Sequence, residues 1–261
     1  MVALFRTLFI FLVLLTTRGA VAQAPQVKAN PLAPSNYNHQ QATRSELDQL
    51  ISLKDFSSEQ PKQTSDNLNE LMFQAKTAQA ELSNLLDDIS DKTYTQALVP
   101  EVKSYQRAQH KVTHKLGGDA SKITDLARAS IVADDVESLM YAYKKLTQRS
   151  EVIQLKNRFA NPKPSGYRDL NTLVRLPDTQ MIVEVQLHLN DIANIKSGAD
   201  HDTYIAIQQI EANAQTEHRP LSEYELSQIT QLRQDSHKLY HKAWLTYKRQ
   251  SINNASFSNV A

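Results

Sequence analysis

Two neighbouring segments alternate apolar and polar side chains, and this pattern constrains the fold more than any other feature of the chain. Leu170–Leu176 and Ile182–Leu189 both repeat with the period of two that is typical of half-buried strands. A turn over residues 177–180 would join them as an antiparallel hairpin. The register set by such a turn pairs Arg175 with Ile182, Leu173 with Glu184, and Asn171 with Gln186.

This register gives the hairpin one polar face and one apolar face. The polar face collects the side chains that could carry chemistry: Asn171, Glu184, Gln186 and His188. Leu173 also falls on that face, whereas the valines and the other leucines share the opposite one. We therefore expect the apolar face to pack on helices and the polar face to hold a site.

The rest of the chain reads as helices with two further strands. Apolar residues recur at three- and four-residue steps from Thr64 to Ile89, which predicts a long helix. Further helices are predicted over 45–54, 100–116 (ended by Gly117-Gly118), 136–147 (capped by Asp135), 191–216 and 221–250, and strands over 127–133 and 151–155. The predicted fold is α+β: a small mixed β-sheet flanked by helices, with a helical N-terminal extension.

The N-terminus predicts export. Arg6, the apolar run 8–15 and the small residues of Ala20-Val21-Ala22 form the pattern of a secretory signal over residues 1–22, and an uncleaved anchor is the alternative. We expect a periplasmic or secreted protein. After the signal, the sequence predicts a flexible leader (23–41), the helical extension (42–98), the sheet-containing domain (99–250) and a tail (251–261).

Composition excludes several classes of function. The formal net charge of +1 lacks the basic excess typical of nucleic-acid binders. The absence of cysteine excludes thiol catalysis and thiolate metal sites. With five glycines, no glycine-rich phosphate loop can be written.

Histidine pairs and a basic stripe have simple structural interpretations. The pairs His110/His114 and His237/His241 have helical spacing but no nearby acidic ligand, which favours solvated histidines over a metal site. A basic residue recurs every four positions at Lys103, Arg107, Lys111 and Lys115. A stripe of this kind is usually a solvated helix face.

One segment concentrates candidate site residues. The Pro-Lys-Pro-Ser-Gly approach to the hairpin is expected to expose Tyr167 and Arg168 at the sheet edge. Lys163 and Arg168 could bind phosphates, and Tyr167 offers a flat face for a nucleobase. Glu184, together with Asp125 before the strand at 127–133, could hold a cation. Two carboxylates among lysines and arginines suit Mg²⁺-dependent transfer from a nucleoside triphosphate.

These residues resemble the synthetase domain of the RelA/SpoT alarmone synthetases. Lys163–Leu170 (KPSGYRDL) and Glu184–Leu187 (EVQL) are similar to the family's P-K-x-x-G-Y-x-S-x-H segment and E-[VI]-Q-[IL]-R-T strand. The family's basic helix and Asp-containing strand would be Arg107–Lys115 and Asp125–Arg128, so that the resemblance covers Lys103–Tyr204. It implies a stand-alone, divergent synthetase domain that transfers pyrophosphate from ATP to the 3′-hydroxyl of GDP, GTP or an adenosine nucleotide.

The resemblance also implies individual roles. Asp125 and Glu184 would hold Mg²⁺, Glu184 would help to deprotonate the attacking hydroxyl, and Tyr167 would stack on the acceptor base. The implied nucleotide-binding residues are Arg107, Lys115, Arg128 and Lys163 at the donor's phosphates, with Arg168, Gln186 and Asn171 completing the set. The sequence departs from the family pattern at Asn171, which stands in place of His, and at His188 and Ser130, which each stand in place of Arg.

Export and a nucleotide site together suggest an effector or toxin that acts on nucleotides, or on a tRNA end, inside another cell. Homo-oligomers are compatible with this reading. Two alternatives remain: a catalytically decayed nucleotide- or partner-binding secreted protein, and a purely helical envelope or adhesion module.

Overall fold

The computed structural model of the chain describes residues 46–58 and 60–258. The predicted secretory signal and leader lie outside these residues. Within the described ranges, no helix has the length and apolarity needed to cross a membrane.

The centre of the protein is a six-stranded mixed sheet. Its strands are β1 (Phe56–Ser57), β2 (Gln96–Leu98), β3 (Arg128–Ala133), β4 (Glu151–Asn157), β5 (Leu170–Arg175) and β6 (Ile182–Leu189). They lie in the order β1-β4-β5-β6-β3-β2, with β3 parallel to β6 and every other neighbouring pair antiparallel. The predicted α+β fold with a small mixed sheet is confirmed.

The hairpin β5–β6 has the predicted register. Arg175 pairs with Ile182, Leu173 with Glu184, and Asn171 with Gln186. Leu173 is accommodated on the polar face because it packs with Ile153 and Ile182 in a small apolar cluster of its own. The two very short strands β1 and β2 were not predicted, since two or three residues are too few to show periodicity.

Seven α-helices surround the sheet in the described part of the chain. They are α1 (Glu46–Ser52), α2 (Leu68–Thr93), α3 (Tyr105–Lys115), α4 (Val136–Arg149), α5 (Asn190–Ser197), α6 (Ala199–Thr216) and α7 (Glu223–Ser258). Asp135 caps α4 as predicted, because its carboxylate accepts the Ser138 N–H at 2.7 Å. The single helix predicted over 191–216 is wrong: the chain breaks at Gly198 (φ −108°, ψ −105°), which separates α5 from α6. Helix α7 also continues past the predicted end at Gln250.

The N-terminal helices and the sheet share one apolar core. Buried residues of α1 and α2, among them Leu50, Leu71 and Leu82, belong to the same cluster as Ile131 and Val185 of the sheet. The predicted helical extension (42–98) is therefore packed against the predicted synthetase-like domain (99–250).

Two glutamines before the domain bind the sheet through backbone groups. Gln79 on α2 donates to the carbonyls of Pro100 (2.6 Å) and Arg128 (2.9 Å) and accepts from the Arg128 N–H (3.0 Å). Gln63, in the loop before α2, accepts from the Ile182 N–H (3.0 Å) and donates to the carbonyls of Ile123 and Ile182, each at 2.8 Å. Each carboxamide thus supplies the hydrogen bonds that a neighbouring strand would otherwise provide.

Candidate functional site

A cavity of about 320 Å³ opens beside the parallel strands β3 and β6. The residues that line it are Pro100, Arg128, Ala129, Ser130, Glu184, Gln186 and Lys196. The parallel register explains the assembly, because it places Arg128 opposite Glu184 and Ser130 opposite Gln186. The lining carries one carboxylate and two cations, a balance that suits an anionic ligand.

Glu184 is held through one of its two carboxylate oxygens. Oε1 accepts from Asn171 Nδ2 (2.5 Å) and from Gln186 Nε2 (2.8 Å). No hydrogen bond from the described residues reaches Oε2. One oxygen is therefore fixed in place, and the other is available to a cation or to a proton.

Lys196 is a site residue that sequence reasoning missed. It comes from α5, and its ammonium donates to Gln186 Oε1 at 2.7 Å and lies 3.5 Å from His188 Nε2. Burial lowers the pKa of Lys196, and the charges of Asp169 and Glu184 partly offset this effect. A lone lysine in a helical stretch has no sequence pattern that could have identified it.

Tyr167 is buried, and the prediction that the Pro-Lys-Pro-Ser-Gly segment exposes it is wrong. The side chain is 5% exposed. Its hydroxyl donates to Asp169 Oδ2 (2.8 Å) and lies 2.7 Å from His188 Nε2. The physical reason is the packing of α7, whose Tyr240 meets the ring edge-on at 5.8 Å. Lys163, which is itself exposed, lies over the ring at 5.1 Å.

The two polar neighbours of Tyr167 are themselves buried. Asp169 accepts two hydrogen bonds from Arg158 Nη1, at 2.8 and 3.0 Å. Burial raises the pKa of Asp169, while Arg158 opposes that rise. Burial also lowers the pKa of His188 to about 3, so this imidazole is neutral near pH 7.

The prediction that Arg168 is exposed at the sheet edge is also wrong. Its guanidinium donates to the Phe159 carbonyl at 2.5 Å and lies over the Trp244 ring at 5.1 Å. The contact with Trp244 holds it against α7, and it does not line the cavity.

Asp125 is also outside the cavity lining, and both of its oxygens are occupied. They form ion pairs with Lys103 and Lys111, each at 2.9 Å. Burial raises the pKa of Asp125, but the two lysines outweigh it and hold the pKa below its usual value. Two members of the basic stripe therefore neutralise a carboxylate instead of facing solvent or a phosphate.

The structure brings some of the predicted site residues together and leaves others apart. Arg128, Glu184 and Gln186 meet in the cavity, and Asn171 joins them through Glu184. Arg107 and Lys115 are exposed on α3. Mg²⁺ fits Glu184, which lines the cavity and keeps one oxygen without a hydrogen bond from the described residues, but it does not fit Asp125, whose oxygens pair with lysines. Across the described residues there is no cluster of three or more side chains that could hold a metal.

Comparison with known proteins identifies the domain. Residues 101–209 match the family described as "Region found in RelA / SpoT proteins". No curated protein matches the chain. The chain therefore contains a RelA/SpoT-type domain, as the resemblance predicted.

Solved structures show the same fold. Small alarmone synthetase 1 from Bacillus subtilis is 14% identical, with a TM-score of 0.53 over 75% of this chain and 100% of that one. The same enzyme bound to its product pppGpp gives 15% identity and a TM-score of 0.52 over 72% and 96% of the two chains. Small alarmone synthetase 2 from Bacillus subtilis is 19% identical, with a TM-score of 0.50 over 70% and 98%.

Proposed function

We propose that the protein transfers pyrophosphate from ATP to the 3′-hydroxyl of a guanosine or adenosine nucleotide, as a synthetase-like transferase. The observation that carries this proposal is the environment of Glu184. One of its carboxylate oxygens is fixed by hydrogen bonds and the other is free, and the lining of the same cavity includes the cationic side chains of Arg128 and Lys196. The RelA/SpoT-type domain supports nucleotide binding and transferase chemistry. A guanosine acceptor is the first to test, because small alarmone synthetase 1 binds its product pppGpp.

In the proposed reaction, Glu184 Oε2 takes the proton of the attacking 3′-hydroxyl. A bond forms between the 3′-oxygen and the β-phosphorus of ATP, the bond from that phosphorus to the oxygen bridging the α-phosphate breaks, and AMP leaves. Asn171 and Gln186 hold Oε1 and so orient the carboxylate for this step. Mg²⁺, when bound, would neutralise charge at the phosphates, and Glu184 is the cavity residue that would hold it.

The cations and the tyrosine have proposed roles around this centre. Arg128 lines the cavity and would contact the donor's phosphates directly. Arg107, Lys115 and Lys163 are exposed and remain proposed contacts of the donor outside the cavity lining. Stacking of the acceptor base on Tyr167 would require Lys163 to leave the ring that it covers.

We also propose that the protein is exported and acts as an effector on nucleotides, or on an RNA end, inside another cell. The pattern of residues 1–22 supports this, since it has the features of a cleavable secretory signal. N-terminal sequencing of the protein recovered outside the producing cytoplasm should begin at Gln23. Recovery of uncleaved protein in the cytoplasm alone would contradict export.

A second candidate function is nucleotide or partner binding without catalysis. The ion pairs of Asp125 favour it, because the implied second metal ligand is already neutralised by lysines. Burial of Tyr167 also favours binding without catalysis, because the ring on which the acceptor base would stack is 5% exposed.

The test is a transfer assay with γ-labelled ATP, Mg²⁺ and a panel of GDP, GTP, ADP, AMP and uncharged tRNA. Wild type is compared with Glu184→Gln and with Glu137→Gln, a matched change at an exposed glutamate on α4. We expect label on one acceptor, loss of transfer in Glu184→Gln, and wild-type transfer in Glu137→Gln. A folded wild-type protein that labels none of these acceptors would reject the transferase and leave the binding function.

A further inference from the structure

We propose that Lys196 binds a phosphate of the nucleotide in the cavity, as a second cation in addition to Arg128. This inference rests on the proposed function and adds a residue to the donor site. It follows from how Lys196 is buried, from what its ammonium contacts, and from which other charges reach the cavity.

Lys196 is a half-buried cation without a direct carboxylate partner. Its ammonium has three donors, but the described residues offer it one short hydrogen bond, to Gln186 Oε1 at 2.7 Å. Its other neighbours are an imidazole nitrogen at 3.5 Å and the Tyr167 ring, whose centroid lies at 5.7 Å. Two nearby buried or half-buried cations are paired: Lys103 with Asp125 at 2.9 Å and Arg158 with Asp169 at 2.8 Å. Because a desolvated cation is costly without a counter-charge, a bound anion would complete the surroundings of Lys196.

The strands themselves supply little positive charge to this cavity. Ser130, opposite Gln186, is uncharged. His188 follows Gln186 on the same face and is neutral, since burial lowers its pKa to about 3. Arg128 is therefore the one cation that β3 and β6 contribute to the cavity lining. Lys196 provides a second positive charge from the helix that follows β6.

The ligand class follows from this geometry. Two cations from different elements line a cavity whose carboxylate, Glu184, is suited to a divalent cation. Such a set matches a polyphosphate chain, which can contact both cations and share a metal with the carboxylate. With a neutral ligand, the lining would hold two cations against the single carboxylate Glu184.

Binding of two probes by calorimetry tests the proposal. The probes are an ATP analogue with a methylene group between its α- and β-phosphates, and inorganic tripolyphosphate, each with Mg²⁺. The full chain is compared with Lys196→Met, Lys196→Arg and Lys144→Met, which alters an exposed lysine on α4. We expect Lys196→Met to weaken binding of both probes by about tenfold or more, the usual effect of losing a charged hydrogen bond. Lys196→Arg should stay within about threefold of wild type, and Lys144→Met should be unchanged.

Thermal stability separates binding from a structural role. Without ligand, Lys196→Met should unfold at or above the wild-type temperature, because it removes a desolvated charge and keeps most of the side-chain volume. If wild type binds the probes and Lys196→Met binds them equally well, Lys196 is not a phosphate ligand and the proposed function stands. A wild-type protein that binds neither probe would overturn both.

Discussion

Replacing Gln63 by leucine tests whether the segment before α2 stabilises the sheet through hydrogen bonds. Gln63 is 7% exposed, and its carboxamide bonds the Ile182 N–H (3.0 Å) and the carbonyls of Ile182 and Ile123 (2.8 Å each). Leucine has a similar size but cannot form any of these bonds. The substitution thus leaves the shape nearly intact and removes the partner of three backbone groups.

The expected loss is about 2–3 kcal/mol in the free energy of unfolding. A buried N–H without a partner costs roughly 2 kcal/mol, and each carbonyl costs less, about 0.5–1 kcal/mol, because it keeps a second lone pair. Burial of the leucine methyl groups returns about 1 kcal/mol. For a domain of this size, the net loss corresponds to a decrease in Tm of about 4–12 °C.

Urea and thermal denaturation followed by circular dichroism measure this change. Gln106→Leu, at an exposed position on α3, is the matched control and should lie within about 0.5 kcal/mol of wild type. The reasoning is refuted if Gln63→Leu is as stable as Gln106→Leu, since the three hydrogen bonds would then contribute nothing.

Two further predictions concern the surroundings of the site. Gly166 has φ +82°, and an added Cβ would lie 3.2 Å from Tyr240 Cβ and 3.3 Å from atoms of His237. Gly166→Ala should therefore lower the free energy of unfolding by about 1–3 kcal/mol, as measured by thermal denaturation. An unchanged Tm would contradict the tight packing of α7 against this glycine. Asp125→Asn should cost about 3 kcal/mol at pH 7, because Lys103 (8% exposed) would lose its counter-charge. The pKa of Asp125 is lowered in the folded protein, so its contribution is complete above about pH 4, the unfolded value, and is lost as the pH falls through the folded value. Wild type should consequently lose more stability than Asp125→Asn between pH 5 and pH 2; equal losses would contradict the ion pairs.

The hairpin could be predicted from the sequence because its causes are local, whereas Arg128 was predicted as a site residue from the family resemblance. Alternation over residues 170–189 fixes which side chains share a face, and the length of the turn fixes the register. Arg128, Glu184 and Gln186 then meet because parallel pairing of β3 with β6 places them side by side.

The remaining features depend on contacts between distant parts of the chain. Burial of Tyr167 requires α7, which lies far along the sequence and whose periodicity does not reveal where it packs. Basic residues recur every four positions from Lys103 to Lys115, but nothing in this stripe indicates that Lys103 and Lys111 turn towards Asp125. Lys196 reaches the cavity from α5, and no local pattern in the sequence indicates how this helix lies against the sheet.

The hydrogen bonds of Gln79 indicate how much of the chain before residue 101 is needed to maintain the cavity. Gln79 grips the backbone of Arg128 and Pro100, which are two of the residues lining the cavity, yet it lies outside the matched segment 101–209. A fragment cut at residue 99 would lose this anchor and would also uncover the apolar surface that α2 now protects. We therefore expect residues 101–209 alone not to maintain the cavity lining at Arg128, and an active fragment should retain α2.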